Sequence, residues 1–107
     1  MFLPNRIRVE ILLPLIDNDG KDIDKSKLLE AGKNLEKEFK GYTLLSQAQG
    51  IWVDEEKKRY EDVNCGFYVV APNTPESVKF FKKYKNTLMK KFGQKDILIT
   101  YYPVETL

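Results

Sequence analysis

The sequence predicts an α+β sandwich in which two helices cover one face of a four-stranded antiparallel sheet, with elements in the order β-α-β-β-α-β. Three observations carry this. Ile7, Val9, Ile11 and Leu13 alternate with Arg6, Arg8, Glu10 and Leu12, the period of a strand with one face on a core. Residues 25–40 and 75–92 instead repeat apolar side chains at the helical period. Between them lie two long strand-like runs, 42–53 and 59–71, joined by the charged tip "DEEKK", which is the pattern of a hairpin.

Each element has its own punctuation. Pro14 ends the first strand, and "DNDGKDID" (17–24) is turn chemistry, with Gly20 free to take a positive φ. Asp24, or Asp22 before it, caps the first helix. That helix buries Leu28, Ala31, Leu35 and Phe39 on one stripe, with Gly32 beside it to allow a close approach to the sheet. Gly41 sits where a C-terminal cap belongs. After the hairpin, Pro72 stops the strand. Thr74 is the N-cap of the second helix and Pro75 stands in its first turn. Val78, Phe81, Leu88 and Phe92 form its buried stripe, flanked by Tyr84 and Met89, and Gly93 ends it. "ILITYY" (97–102) is the last strand, closed by Pro103. The order is that of the ferredoxin-like split βαβ arrangement.

Composition bounds the rest. The 107 residues make one domain. A hydrophobic fraction of 42% with 12% aromatics is that of a chain with a packed core. No apolar run approaches the ~20 residues of a membrane span. Arg6, Arg8 and Glu10 interrupt the apolar start, which is therefore read as a strand and not a signal core, with a cytoplasmic location as the expectation. The single Cys65 agrees with that, since it has no partner for an internal disulfide. Histidine is absent, which removes the usual general base near neutral pH. With one cysteine and no histidine, no metal site and no cofactor are expected.

Four features invite functional readings. The acidic loop holding Asp17, Asp19, Asp22 and Asp24 resembles a calcium loop, but aligning Gly20 with its glycine puts Leu15 and Ser26 at two ligand positions, so the motif fails. The second helix is basic: residues 75–95 hold seven lysines against Glu76, in a chain whose net charge is +2. Lys79, Lys82, Lys83 and Lys90 share one face and are candidates for binding an anion such as nucleic acid, although charge runs are usually solvated faces. "NCGFYVV" (64–70) loosely mimics an RNA-recognition strand, yet Cys65 and Tyr68 stand at the wrong places and the first strand offers no aromatic.

The fourth feature is the sheet face away from the helices. If Ile7, Val9, Ile11, Val63, Cys65, Phe67 and Val69 face the helices, then Arg8, Glu10, Asp62, Asn64 and Tyr68 face outward, joined by Thr100 and Tyr102. An amphipathic face of this kind is commonly covered by a second subunit or a ligand. Glu10 and Asp62 read as a carboxylate pair only weakly, because no nucleophile or phosphate loop accompanies them, and a salt bridge with Arg8 is the plainer account. Trp52 is the remaining candidate. Its strand, at about 3.3 Å per residue, is roughly 40 Å long, against a diameter of roughly 34 Å for a domain of this size. The hairpin must bend or protrude, and Gly50 is the natural bend. A bulge there leaves the facing of residues 46–49 open.

"GYTLLSQAQGIW", "RYEDVNCGFYVVA" and "KKFGQKDILI" resemble a group of small bacterial ferredoxin-like proteins with a Gly-x-Thr…Gly-x-Trp hairpin, a following Glu and a Phe-x-Gln before the last strand. The matching positions are Gly41, Thr43, Gly50, Trp52, Glu61, Phe92 and Gln94, within residues 41–99, and the Thr43–Gly50 spacing is one residue longer here. The resemblance implies the fold and no activity. The expectation is a non-catalytic interaction protein that self-associates, as a homodimer, through the open sheet face or the hairpin. The alternatives are an anion binder using the lysines of the second helix and a small dimeric enzyme with a pocket on the sheet face.

Overall fold

A computed structural model describes residues 5–107; the reading of residues 1–4 as the start of the first strand lies outside the described residues. The order is β1 (Arg6–Pro14), α1 (Lys25–Phe39), β2 (Thr43–Val53), β3 (Arg59–Pro72), α2 (Pro75–Phe92) and β4 (Ile99–Val104). All pairings are antiparallel and the strands lie in the order β2-β3-β1-β4, the ferredoxin-like topology. Ile16 and Asp22 add an isolated antiparallel bridge, so the chain has more β structure than the four strands expected.

The alternation in β1 sets the core. Ile7, Val9, Ile11 and Leu13 are buried against Phe67, Val69 and Ala71 of β3 and against Leu35, Phe81, Leu88 and Phe92 of the helices. Phe39 stacks on Phe81 with centroids 5.0 Å apart. The Tyr84 hydroxyl donates to the Ala31 carbonyl at 3.0 Å and ties α2 to α1; burial pushes its phenol up. Gly32 does allow a close approach, but to a side chain and not the sheet: a Cβ there would lie 2.5 Å from the Tyr42 hydroxyl.

The caps follow the sequence at three ends of four. Asp24 accepts from the Ser26 N–H at 2.9 Å, which holds its carboxyl below the usual carboxylate range. A carboxyl lowered in this way favours the fold above its unfolded pKa, and that contribution fades as the pH falls through the folded one. Thr74 accepts from the Ser77 N–H at 3.2 Å, with Pro75 opening the helix. Gly93 takes φ 60° at the C-terminus of α2. At the end of α1, however, Lys40 and not Gly41 adopts the left-handed cap, at φ 65°, with its N–H on the Glu36 carbonyl. Thr74→Ala is expected to cost about 1 kcal/mol, read as a lower urea midpoint at unchanged slope.

The last strand and the bulge differ from expectation. β4 starts at Ile99 and not at residue 97, and it runs through Pro103 instead of stopping before it. The Leu12 N–H donates to the Leu98 carbonyl at 3.1 Å. Alternation along an antiparallel pair then bonds Glu10 with Thr100 and Arg8 with Tyr102, and turns the main chain of Ile99, Tyr101 and Pro103 outward. Proline thus replaces an N–H that β1 does not use, which an edge strand tolerates. The bulge lies at Ser46, where the register slips between Leu45 and Gln47; Gly50 pairs regularly with Asp62. Beyond the bulge, Gln47 and Gln49 share the helix side with Cys65 and Val63, while Ala48 and Gly50 share the outer face with Asn64 and Asp62. The side-chain direction of Ser46 lies outside the described residues. The far half of the hairpin protrudes, and the long dimension reaches 46 Å.

Candidate functional site

The outer sheet face and the hairpin arm carry the candidate residues in two groups. Cross-strand register puts Tyr102, Arg8 and Val70 in one row and Thr100, Glu10, Tyr68 and Thr43 in the next. Arg8 Nε donates to Glu10 Oε1 at 2.9 Å, and the guanidinium lies 3.7 Å from the centroid of the Tyr68 ring. Arg8 is thus held by a carboxylate on one side and a π face on the other, the salt bridge that the sequence favoured. Leu12 and Leu45 continue the face as partly exposed apolar surface, Leu45 at 40%.

The second group is on the arm. Trp52 and Tyr60 are cross-strand partners whose rings stack at 4.2 Å and 11°. The Trp52 Nε1–H donates to Asp62 Oδ2 at 2.8 Å, and Lys58 Nζ lies 5.3 Å from the Tyr60 centroid. Trp52 remains 49% exposed, so it packs on its own hairpin and not on the core. Ile51 and Val53, on the opposite face of the same strand, are 62% and 58% exposed because the helices do not reach this far. Asp62 therefore belongs with Trp52 and not with Glu10. The six steps along the strand from Asp62 to Tyr68 span about 20 Å, which rules out one pocket within a single chain. Asn64 lies between the groups, opposite Ala48.

Sequence reasoning missed Tyr60. The five-residue turn that the structure closes between Asp54 and Lys58 makes 53 face 59 and 52 face 60, so counting back from the tip locates it.

Lys79, Lys82, Lys83 and Lys90 are exposed on α2, on the side away from its buried Phe81, Leu88 and Phe92. Among the described residues none of the four is in an ion pair, whereas Lys85 binds Asp96 at 2.8 Å and Lys91 binds Glu30. The Lys85 ammonium holds the Asp96 carboxyl below its usual range. Lys79 and Lys82 border an open cleft of about 490 Å³ with Val78 and Tyr101. The lysine face and the outer sheet face lie on opposite layers.

Cys65 is buried under the sheet, its thiol 3.8 Å from the Leu45 carbonyl, and burial pushes its pKa up. The thiolate is the reactive form. Cys65 in the folded protein is therefore expected to resist iodoacetamide and to alkylate only when the chain is unfolded, as followed by intact mass.

Among the described residues no group of three or more metal-ligating side chains converges, and no helix is long and apolar enough to cross a membrane. No protein-family model and no curated protein matches the chain. Solved structures do. A phage SAM lyase in complex with S-methyl-5'-thioadenosine is similar at a TM-score of 0.69 and 9% identity, over 96% of this chain and 85% of that one. The divalent ion tolerance protein CutA1 from Ehrlichia chaffeensis is similar at 0.61 and 10% identity, over 99% and 87%. At such identities the likeness is one of fold: the chain shares the ferredoxin-like α+β architecture with both.

Proposed function

We propose that this chain is a cytoplasmic interaction protein without catalytic chemistry of its own, and that it self-associates as a homodimer through its hairpin arm and outer sheet face. The observation that carries the reading is the arm, which exposes Ile51, Trp52 and Val53 on both of its faces. Its apolar surface continues through Leu45 and Leu12 toward Val70 and Tyr102 on the outer face. Apolar area of this kind is stabilised by being covered, at about 25 cal/mol per Å². Light scattering across a hundredfold range of concentration tests it. A mass of twice the chain supports the reading, and a monomer throughout sinks it.

A second reading rests on Arg8, Glu10 and Tyr68. A carboxylate beside a π face suits a cation; the Arg8 guanidinium fills that place in the free chain, so a cationic small molecule binds there by displacing it, and the similar phage enzyme is described as a SAM lyase with S-methyl-5'-thioadenosine bound. In this reading the outer face holds a sulfonium nucleoside, and closing a pocket over it takes a second copy. Calorimetry with S-adenosylmethionine and with S-methyl-5'-thioadenosine decides, since Glu10→Gln weakens the first selectively if the carboxylate meets the cation. A flat titration removes the reading. Anion binding by the four unpaired α2 lysines predicts binding of short RNA or DNA that weakens steeply between 50 and 200 mM salt. No binding at the lower salt excludes it.

A further inference from the structure

We infer that the free edge of β2 is the seam between two copies of this chain, pairing antiparallel with β2 of the second copy to make one continuous sheet. The inference rests on the self-association reading and names its contact. The strand order leaves two edges, β2 and β4. They are built in opposite ways. β4 has six residues, and Pro103 sits among its outward-facing positions, so that edge is short and lacks a donor. β2 has eleven residues, "TLLSQAQGIWV", with no charge and no proline, in a chain that is 32% charged. Exposed edges are ordinarily blunted by lysine, proline, shortness or a β-bulge, because unpaired N–H and C=O groups recruit another strand. β4 is protected by shortness and proline, whereas β2 carries only its bulge at Ser46 and runs in regular register from Gln47 to Val53.

The hairpin closure shows which groups are on offer. The Asp54 N–H donates to the Lys58 carbonyl at 3.0 Å. Alternation then turns Trp52, Gly50 and Ala48 inward to β3, and turns the main chain of Val53, Ile51, Gln49 and Gln47 to the open side. The Val63 carbonyl, opposite Gln49, indeed turns away from β2 and accepts from the Leu15 N–H at 3.0 Å. Among the described residues no other strand covers this edge.

The occupant follows from length and charge. A strand of eleven residues spans about 36 Å, which a second β2 matches and β4 does not. Like charges directly opposite each other destabilise a strand pair. A charge-free strand set against itself by a two-fold axis has none. The antiparallel sense also lays the Lys40 end of one strand beside the Asp54 end of the other.

Amide hydrogen exchange, read with light scattering at the same concentrations, tests the seam. In the dimer, exchange in 43–53 is expected to slow at least tenfold relative to the diluted monomer, with 98–104 unchanged. Gln49→Lys charges an exposed edge position without touching the β2–β3 ladder, and Gln49→Pro removes its outward N–H. Both are expected to give folded monomers by circular dichroism and scattering. If the wild type is a monomer throughout, the self-association reading and this seam fall together. If it dimerises while 43–53 exchanges at the same rate and Gln49→Lys stays dimeric, the seam alone is overturned. Slowing in 43–53 and 98–104 together means that β2 meets β4 of the next copy, which also overturns β2 pairing with itself.

Discussion

Phe67→Ala is expected to destabilise the fold by about 3–5 kcal/mol. Phe67 is 2% exposed in β3, between Ile11 on one neighbouring strand and Leu44 on the other. Its ring lies 5.5 Å from that of Tyr42. Strands bonded on both sides do not collapse into the space a lost ring leaves, so the cavity cost adds to the lost transfer energy. A domain of this size holds about 5–15 kcal/mol in all. At about 4–8 °C per kcal/mol the thermal midpoint falls by at least about 12 °C. Phe67→Leu, which keeps most of the volume, is expected to recover more than half of that. Tyr42→Ala removes a ring that is 37% exposed and costs less than Phe67→Ala. Calorimetric melts of the three variants check the ranking. Equal losses for Phe67→Ala and Tyr42→Ala contradict the placement of Phe67 at the centre of the core.

The order of elements was legible because each carries its own period and stop. Ile7 to Leu13 alternate, Thr74 and Pro75 open a helix, and Gly93 closes it. The two misreadings in the sheet share a cause: they depend on which way a backbone group faces in a ladder, which one sequence does not encode. Pro103 looks like a stop, yet at a position whose N–H faces outward it continues the strand. Gly50 looks like the bend, yet the extra residue is Ser46, and a single-residue bulge needs no glycine. Lys40 takes the left-handed cap beside a glycine that was available. The outer-face residues were correctly grouped by parity, because β1 and the inner half of β3 run without a bulge from Arg8 to Tyr68. Asp62 shares the outer face with Arg8 and Glu10 but lies far along the strand from them, beside Trp52: parity gives a face but not a position on it.

Trp52→Ala is expected to weaken self-association at least about 30-fold, in line with a buried tryptophan anchor worth about 2 kcal/mol or more, while barely changing the fold of the monomer. The two effects separate because of where Trp52 sits. Within one chain its ring covers one face of Tyr60 and its N–H binds Asp62, on an arm that the core does not touch. A cross-strand aromatic pair of this kind contributes about 0.5–1.5 kcal/mol, and its loss at the end of a hairpin frays the tip without opening the sheet. In an assembly the same ring is a large rigid apolar surface already fixed in place by the stack and the hydrogen bond, so covering it costs little side-chain entropy. Trp52→Phe keeps the stack and loses the N–H, and is expected to fall between wild type and Trp52→Ala in affinity. Sedimentation gives the dissociation constants, and urea melts at monomeric concentration give the stabilities. If Trp52→Ala lowers monomer stability by several kcal/mol and leaves association unchanged, Trp52 is part of the architecture. If association falls and stability holds, the arm is a contact surface whose rigidity is set before the partner arrives.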